Sequence, residues 1–278
     1  MAQSQRVAEI AADPIAPRRR FRLPDWTQTL AAFVVALLLW QLVVTVIRVP
    51  AYVLPPPTAV FQGLITYFPR IMRDAGITLQ EILLGYAMAV VLSVPIAILI
   101  AYSPFFARTV WPLLIFSQII PKIALAPLFI IWFGFGFVPK VLITFLLSFF
   151  PIVIDTVAGF RSLDPEVMYL ARSGGASAWD IFWRVRLPAA LPHIFSGLKV
   201  AAALATTGAI IAEFVGSDRG LGYLLLQANG DLNTALLFAA IVVLSTIGLV
   251  LYGLVALLEK LLIPWHVSQR VPGGEGTL

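Results

Sequence analysis

The chain has 278 residues, 60% of them hydrophobic and 12% charged, with a formal net charge of +5 and no cysteine. Soluble domains carry about 45–50% apolar and about 25% charged residues, so this composition excludes a large soluble domain and points to an all-α, polytopic membrane protein. The absence of cysteine excludes disulfides, thiol catalysis and thiolate metal sites, and the positive charge follows membrane topology rather than nucleic-acid binding.

Residues 1–28 form a basic segment with RRRFR at 18–22. The apolar run at 29–47 exceeds the ~7–15 residues of a signal-peptide core, and no A-x-A-like site follows it. It reads as an uncleaved signal-anchor helix. VLPPPTAVFQGLITYFPRIMRD (53–74) starts with prolines and continues as a short amphipathic stretch suited to the outer interface. Further spans are expected at 77–101, 109–133, 138–160, 192–215 and 235–260. Each is close to the ~20 residues that cross a bilayer. Six helices result, the third interrupted by Pro121 and Pro127, within a transmembrane domain at 29–262 followed by a tail at 263–278. With the N-terminus placed inside, twelve of the 19 Lys and Arg fall in inside segments, five outside, and Lys122 and Lys199 within spans. That bias predicts both termini in the cytoplasm.

The loop at 161–191 differs from its neighbours. Ser177 followed by Asp180 fits a capped helix start, and Gly174-Gly175 supplies a turn after a first short helix over Pro165 to Ser173. Pro188 and Pro192 are expected to limit the second helix before the next span. On that helix Trp179, Phe182, Trp183 and Arg186 recur at i, i+3, i+4, i+7, which predicts a single face. Two readings are open on these residues alone: an interfacial helix with aromatics at the headgroups, or a helix that docks a protein.

Ionisable groups within spans are expensive and therefore candidates for function. Lys122 follows Pro121 in the broken span and, with Ser117 and Gln118, could line an anion pathway. Asp155, near the cytoplasmic end of the fourth span, is expected to pair with a cation or be solvated. Glu213 precedes a Gly-rich loop and could serve a gate or cap the interface. Glu81 is expected near the outer surface, and Lys199 is expected to snorkel to the inside. Gly197, Ala201, Ala205 and Ala209 repeat every four residues, a small stripe for helix packing. His193 and His266 are too few for a histidine metal site. No H-E-x-x-H or G-x-S-x-G is present, so an intramembrane enzyme is disfavoured. An ion-coupled carrier built from repeated halves finds no repeat here.

From Gly175 the loop continues with nine residues (176–184), then Val185, Arg186, Leu187 and Pro188. This spacing resembles the EAA loop of ABC-importer membrane permeases: Glu-Ala-Ala, three residues, Gly, nine residues, an apolar residue, any residue, Leu-Pro. Ala171 matches the second Ala; Tyr169 stands in place of the motif Glu and Leu170 in place of the first Ala, with Glu166 one turn earlier. LPPPTAV (54–60), IPKIALAPLFIIWFGFG (120–136) and AEFVGSDRGLGYLL (212–225) resemble the nitrate/sulfonate/taurine branch of these permeases. The resemblance implies a type I importer permease that carries no catalysis. It implies a homodimer with a second permease copy, two cytoplasmic ABC ATPase subunits, an extracytoplasmic substrate-binding protein and a lipid bilayer. No nucleic acid and no cofactor of its own are implied. The chain has no G-x-x-x-x-G-K-[ST], so ATP and Mg would be used by the ATPase partner. Glu166, Tyr169, Ala171, Gly175, Ser177, Trp179, Asp180, Phe182, Val185, Leu187 and Pro188 would carry the ATPase-coupling loop. A nitrate-, sulfonate- or taurine-like anion is the first substrate expectation, and a thiamine-precursor pyrimidine or riboflavin-like solute the alternative.

Overall fold

The computed structural model describes residues 25–265. The RRRFR cluster, His266 and Arg270, and most of the two terminal segments, lie outside them. The chain divides into two compact units, Met1–Val49 and Pro50–Leu278. The first contains α1 (Asp25–Ile47), most of whose apolar side chains are exposed, as on Phe33, Leu38 and Val46, while Val44 is buried. A helix apolar on every side is built for a lipid environment.

In the second unit, α2 (Pro57–Thr66) is followed by α3 (Phe68–Tyr102). The expected interfacial stretch at 53–74 is therefore divided. Tyr67 leaves helical geometry and Pro69 starts a new helix, so α3 begins well before the expected position 77. Its 35 residues rise about 52 Å, beyond the ~30 Å hydrocarbon core. The third span is two helices rather than one. α4 (Pro104–Ile119) meets Lys122–Phe133 at 88°, a stretch made of a tight turn at Lys122–Leu125 and α5 (Ala126–Phe133). Ile120 precedes Pro121 and is extended, which ends α4 there.

The remaining helices are α6 (Phe137–Arg161), α7 (Pro165–Ser173), α8 (Ala178–Ile181), α9 (Leu187–Gly216), α10 (Leu221–Gly230) and α11 (Thr234–Leu262). Among the described residues, five helices are long and apolar enough to cross a membrane, and the bent α4–α5 pair supplies a sixth if it counts as one span.

The core is built from α3, α6 and α9, with α11 on a further side of α9. Small residues set the spacing. A Cβ on Gly208 would lie 2.9 Å from the Thr144 Cα, and one on Gly197 would lie 2.9 Å from the Pro151 carbonyl oxygen. Gly197, Ala201, Ala205 and Ala209 are all buried inside this unit. Hydroxyls bridge the helices where apolar contact alone would leave polar groups bare: Ser148 Oγ donates to the Ala201 carbonyl at 3.3 Å, and Ser93 Oγ to that of Phe149 at 3.1 Å. Lys199 finds its partner within the bundle. Its ammonium donates to Glu259 Oε2 at 2.8 Å and ties α9 to α11.

Candidate functional site

The loop between α6 and α9 is built by local rules. Asp164 caps α7 by accepting the Glu166 N–H at 2.9 Å, and Pro165 takes the first turn, where its missing N–H costs nothing. Gly175 has φ +79°, a left-handed conformation that any Cβ would strain. Around it the Gly175 N–H donates to the Arg172 carbonyl at 3.0 Å and the Ala176 N–H to the Ala171 carbonyl at 3.1 Å. This pair of bonds is the Schellman end of a helix. It satisfies the last carbonyls of α7 and turns the chain sharply into α8.

Ser177 then caps α8. Its Oγ accepts the Asp180 N–H at 3.1 Å and donates to Asp180 Oδ2 at 2.5 Å. The hydroxyl holds the Asp180 carboxyl below the usual carboxylate range, with Arg184 adding to the effect. The next turn, Phe182–Arg186, is a wider π-helical one, closed by the Leu187 N–H on the Phe182 carbonyl. Pro188 has no N–H to return to Arg184, and the widened turn absorbs that vacancy. The prolines therefore do not separate the second loop helix from the next span. Helix runs continuously from Ala178 to Gly216.

The π turn also overturns the single aromatic face. Phe182 and Arg186 point into the body of the protein. The Phe182 ring stacks on Phe160 (6.1 Å, 11°) and meets Tyr102 edge-on at 5.7 Å, while the Arg186 guanidinium lies over Tyr102 at 4.7 Å. Trp179 and Trp183 form an edge-to-face pair at 5.5 Å on the outside, and Trp183 also meets Phe182 edge-on at 5.2 Å. Trp179, Tyr169 and Leu170 are 71%, 76% and 72% exposed. Val185, Leu187 and Pro188 are half-buried, and Leu187 packs with Phe160, Ala190 and Ile194. The loop thus has an inner face locked to the ends of α3 and α6 and an outer face of large apolar side chains. Tyr102 and Phe160, at the ends of their spans, were not singled out from the sequence; only their aromatic character at a span end marks them.

The polar residues within spans divide differently from expectation. Ser117 Oγ donates back to the Leu114 carbonyl at 2.7 Å, and Lys122 Nζ to the Gln118 carbonyl at 3.2 Å. Lys122 also lies over the Phe150 ring at 4.6 Å. These three share the bend between α4 and α5. Asp155 is half-buried beside Gly197 and has no ion pair among the described residues. Glu81, expected at the surface, is fully buried and paired with Lys140.

Glu213 is closed in as well. Its carboxylate accepts from Thr78 Oγ1 at 2.6 Å and from the backbone N–H groups of Gly222 and Tyr223. It caps the first turn of α10 from the end of α9, a favourable place for a carboxylate. Thr78 Oγ1 in turn accepts the Leu221 N–H at 2.8 Å. Glu81, Lys140 and Glu213 lie at the end of α3, α6 and α9 away from the loop, beside a cleft of about 900 Å³. Among the described residues no cluster of three or more His, Cys, Asp or Glu is arranged to hold a metal ion.

Comparison with known proteins places this architecture. Residues 93–264 match the family described as the binding-protein-dependent transport system inner membrane component. The chain is 38% identical over 236 residues to the riboflavin transport system permease protein RibX of Chloroflexus aurantiacus, covering 84% of this chain and 87% of that protein. It is 31% identical over 247 residues to the taurine transport system permease protein TauC of Escherichia coli, covering 86% and 90%. Its fold matches a chain of the inward-facing MetNI methionine ABC transporter with TM-score 0.59 and 18% identity, covering 72% of this chain and 97% of that one. The chain belongs to the binding-protein-dependent transport system inner membrane component family, and it is a multi-pass permease subunit of an ABC importer rather than an enzyme.

Proposed function

We propose that this chain forms the translocation pathway as a homodimer in the bacterial inner membrane, with both termini cytoplasmic, and that the loop at 161–191 docks two cytoplasmic ABC ATPase subunits. Glu166, Tyr169, Ala171 and Gly175 shape and present the first short helix, and Ser177, Trp179, Asp180, Phe182, Val185, Leu187 and Pro188 the second. ATP and Mg are used by the partner ATPase, and an extracytoplasmic binding protein delivers the solute. The orientation rests on the excess of Lys and Arg in the segments assigned to the inside.

The observation that carries the docking reading is the two-sided loop. Trp179, Tyr169 and Leu170 project outward, while Phe182 is fixed against Phe160 and Tyr102. Exposed aromatic anchors on a rigid element suit a partner's groove. Because helix continues from Ala178 to Gly216, a push on the loop reaches the far end of α9 without an intervening hinge.

For the solute, the higher identity to a riboflavin permease (38%) than to a taurine permease (31%) favours a nitrogen heteroaromatic over the sulfonate-like anion. Much of the selectivity is expected in the binding protein. Gentle purification from native membranes, with Gly175→Arg alongside, tests the assembly. An ABC ATPase present with the parent and lost with the variant supports it. Absence of any ATPase after mild cross-linking overturns it.

A further inference from the structure

The cleft at the end of the bundle away from the loop has properties that discriminate between solute chemistries. Its volume of about 900 Å³ falls in the range of small-molecule sites. Three aromatic rings line it, Phe135, Phe137 and Phe214. Phe135 is 81% exposed and sits between Gly134 (φ +77°) and Gly136 (φ +143°), where a Cβ on either glycine would meet nothing within 4 Å. The ring is presented on a segment that packing does not hold, and it rests on Gly216, whose Cβ position lies 3.4 Å from Phe135 Cδ1.

Both cations of the cleft are already neutralised. Lys140 is paired with the fully buried Glu81 and donates to Ser217 Oγ at 3.0 Å. Arg219 makes two 3.1 Å bonds to the Asp218 carboxylate. An entering sulfonate or nitrate would have to compete with these carboxylates for its counter-charge. By contrast, the Gln80 amide also lines the cleft and makes no side-chain hydrogen bond among the described residues, which leaves both a donor and an acceptor available. Aromatic walls, balanced charge and a free amide suit an uncharged planar ring with hydrogen-bonding edges.

We propose that this cleft is a solute-contacting site of the permease itself, and that it takes an uncharged nitrogen heteroaromatic of the pyrimidine or flavin class between Phe135 and Phe214, with Gln80 on the ring edge. The site rests on the substrate class argued above and adds that the permease, and not only the binding protein, selects for it.

The test uses the permease–ATPase complex in lipid nanodiscs without the binding protein. Riboflavin and uracil serve as uncharged ring probes and taurine as the sulfonate probe. Saturable binding of a ring probe is expected, weakened at least tenfold by Phe135→Ala and by Gln80→Leu and unchanged by Phe116→Ala on α4. Retained ATPase association shows that the variants are folded; Phe135 and Gln80 are exposed, so neither supports the core. Ring binding indifferent to both cleft variants overturns the site and leaves the substrate class standing. Taurine binding in place of the rings overturns both. If no probe binds, the site is overturned, and the substrate class is then decided by the same probes on the isolated binding protein.

Discussion

The rings of Phe182 and Phe160 stack with centroids 6.1 Å apart and planes 11° from parallel. One belongs to the loop and the other to the last turn of α6, so this stack, with Tyr102 completing it, joins the loop to two spans other than the one it runs into. Each aromatic pair is worth about 0.5–1.5 kcal/mol beyond the area it buries. Phe182→Ala removes three such pairs, to Phe160, Tyr102 and Trp183, without touching the exposed Trp179. The expected outcome is that ATPase still co-purifies and hydrolyses ATP, while solute uptake per ATP falls about tenfold. Uptake and hydrolysis measured together in proteoliposomes check it. A parallel loss of both would mean that Phe182 holds the docking surface rather than linking it to the spans.

Gly175 separates backbone strain from steric crowding. Its φ is +79° and a Cβ there would meet nothing within 4 Å, so only conformation penalises a substitution. A Cβ-bearing residue in the left-handed region costs about 1–2 kcal/mol, and asparagine tolerates it best of the non-glycines. ATPase retention is expected to rank Gly175 above Gly175→Asn, and that above Gly175→Ala. Quantitative co-purification under matched detergent reads the order. Equal retention in all three would show that the Schellman corner is dispensable for docking.

The legibility of the chain follows the range of the interactions involved. Capping is local, so Ser177 with Asp180 and the first helix at Pro165–Ser173 were readable from the residues themselves. Span positions were readable because about twenty apolar residues leave few alternatives. The aromatic register was not. A π turn changes the periodicity by one residue, and its cause, Pro188 following the helix, reads in sequence as a stop signal but acts as a distortion. The Glu81–Lys140 and Lys199–Glu259 pairs were also missed. Their partners are 59 or more positions apart, and helical periodicity carries no information about which distant span supplies a counter-charge. Ionisable residues in apolar runs are the available signal; it marks Glu81 and Lys199 but neither of their partners, Lys140 and Glu259.

The Glu81–Lys140 pair makes a prediction of its own. Removing one partner of a buried pair costs about 3–5 kcal/mol, because the other charge is left uncompensated. Lys140→Met and Glu81→Leu are each expected to lower the thermal midpoint of the detergent-solubilised protein strongly. The double variant is expected to recover most of the loss, since it replaces two charges with apolar volume. A double variant as unstable as the sum of the singles would mean the two side chains act independently despite their contact.

Close helix approach predicts opposite signs for two glycine substitutions. At Gly208 on α9 a Cβ would lie 2.9 Å from the Cα of Thr144 on α6. That neighbour is backbone within the most extensive helix pair of the fold and cannot turn aside. Gly208→Ala must push α6 and α9 apart, an overpacking cost of about 1–3 kcal/mol. At Gly253 on α11 a Cβ would meet nothing within 4 Å. There the alanine gains about 0.5–1 kcal/mol of helix stability from the lower flexibility of the unfolded chain. Thermal unfolding of the two variants beside the parent, in one detergent, gives both shifts. A stabilising Gly208→Ala would show that the α6–α9 contact is looser than 2.9 Å, and Gly208 would lose its role in setting the spacing of these two helices.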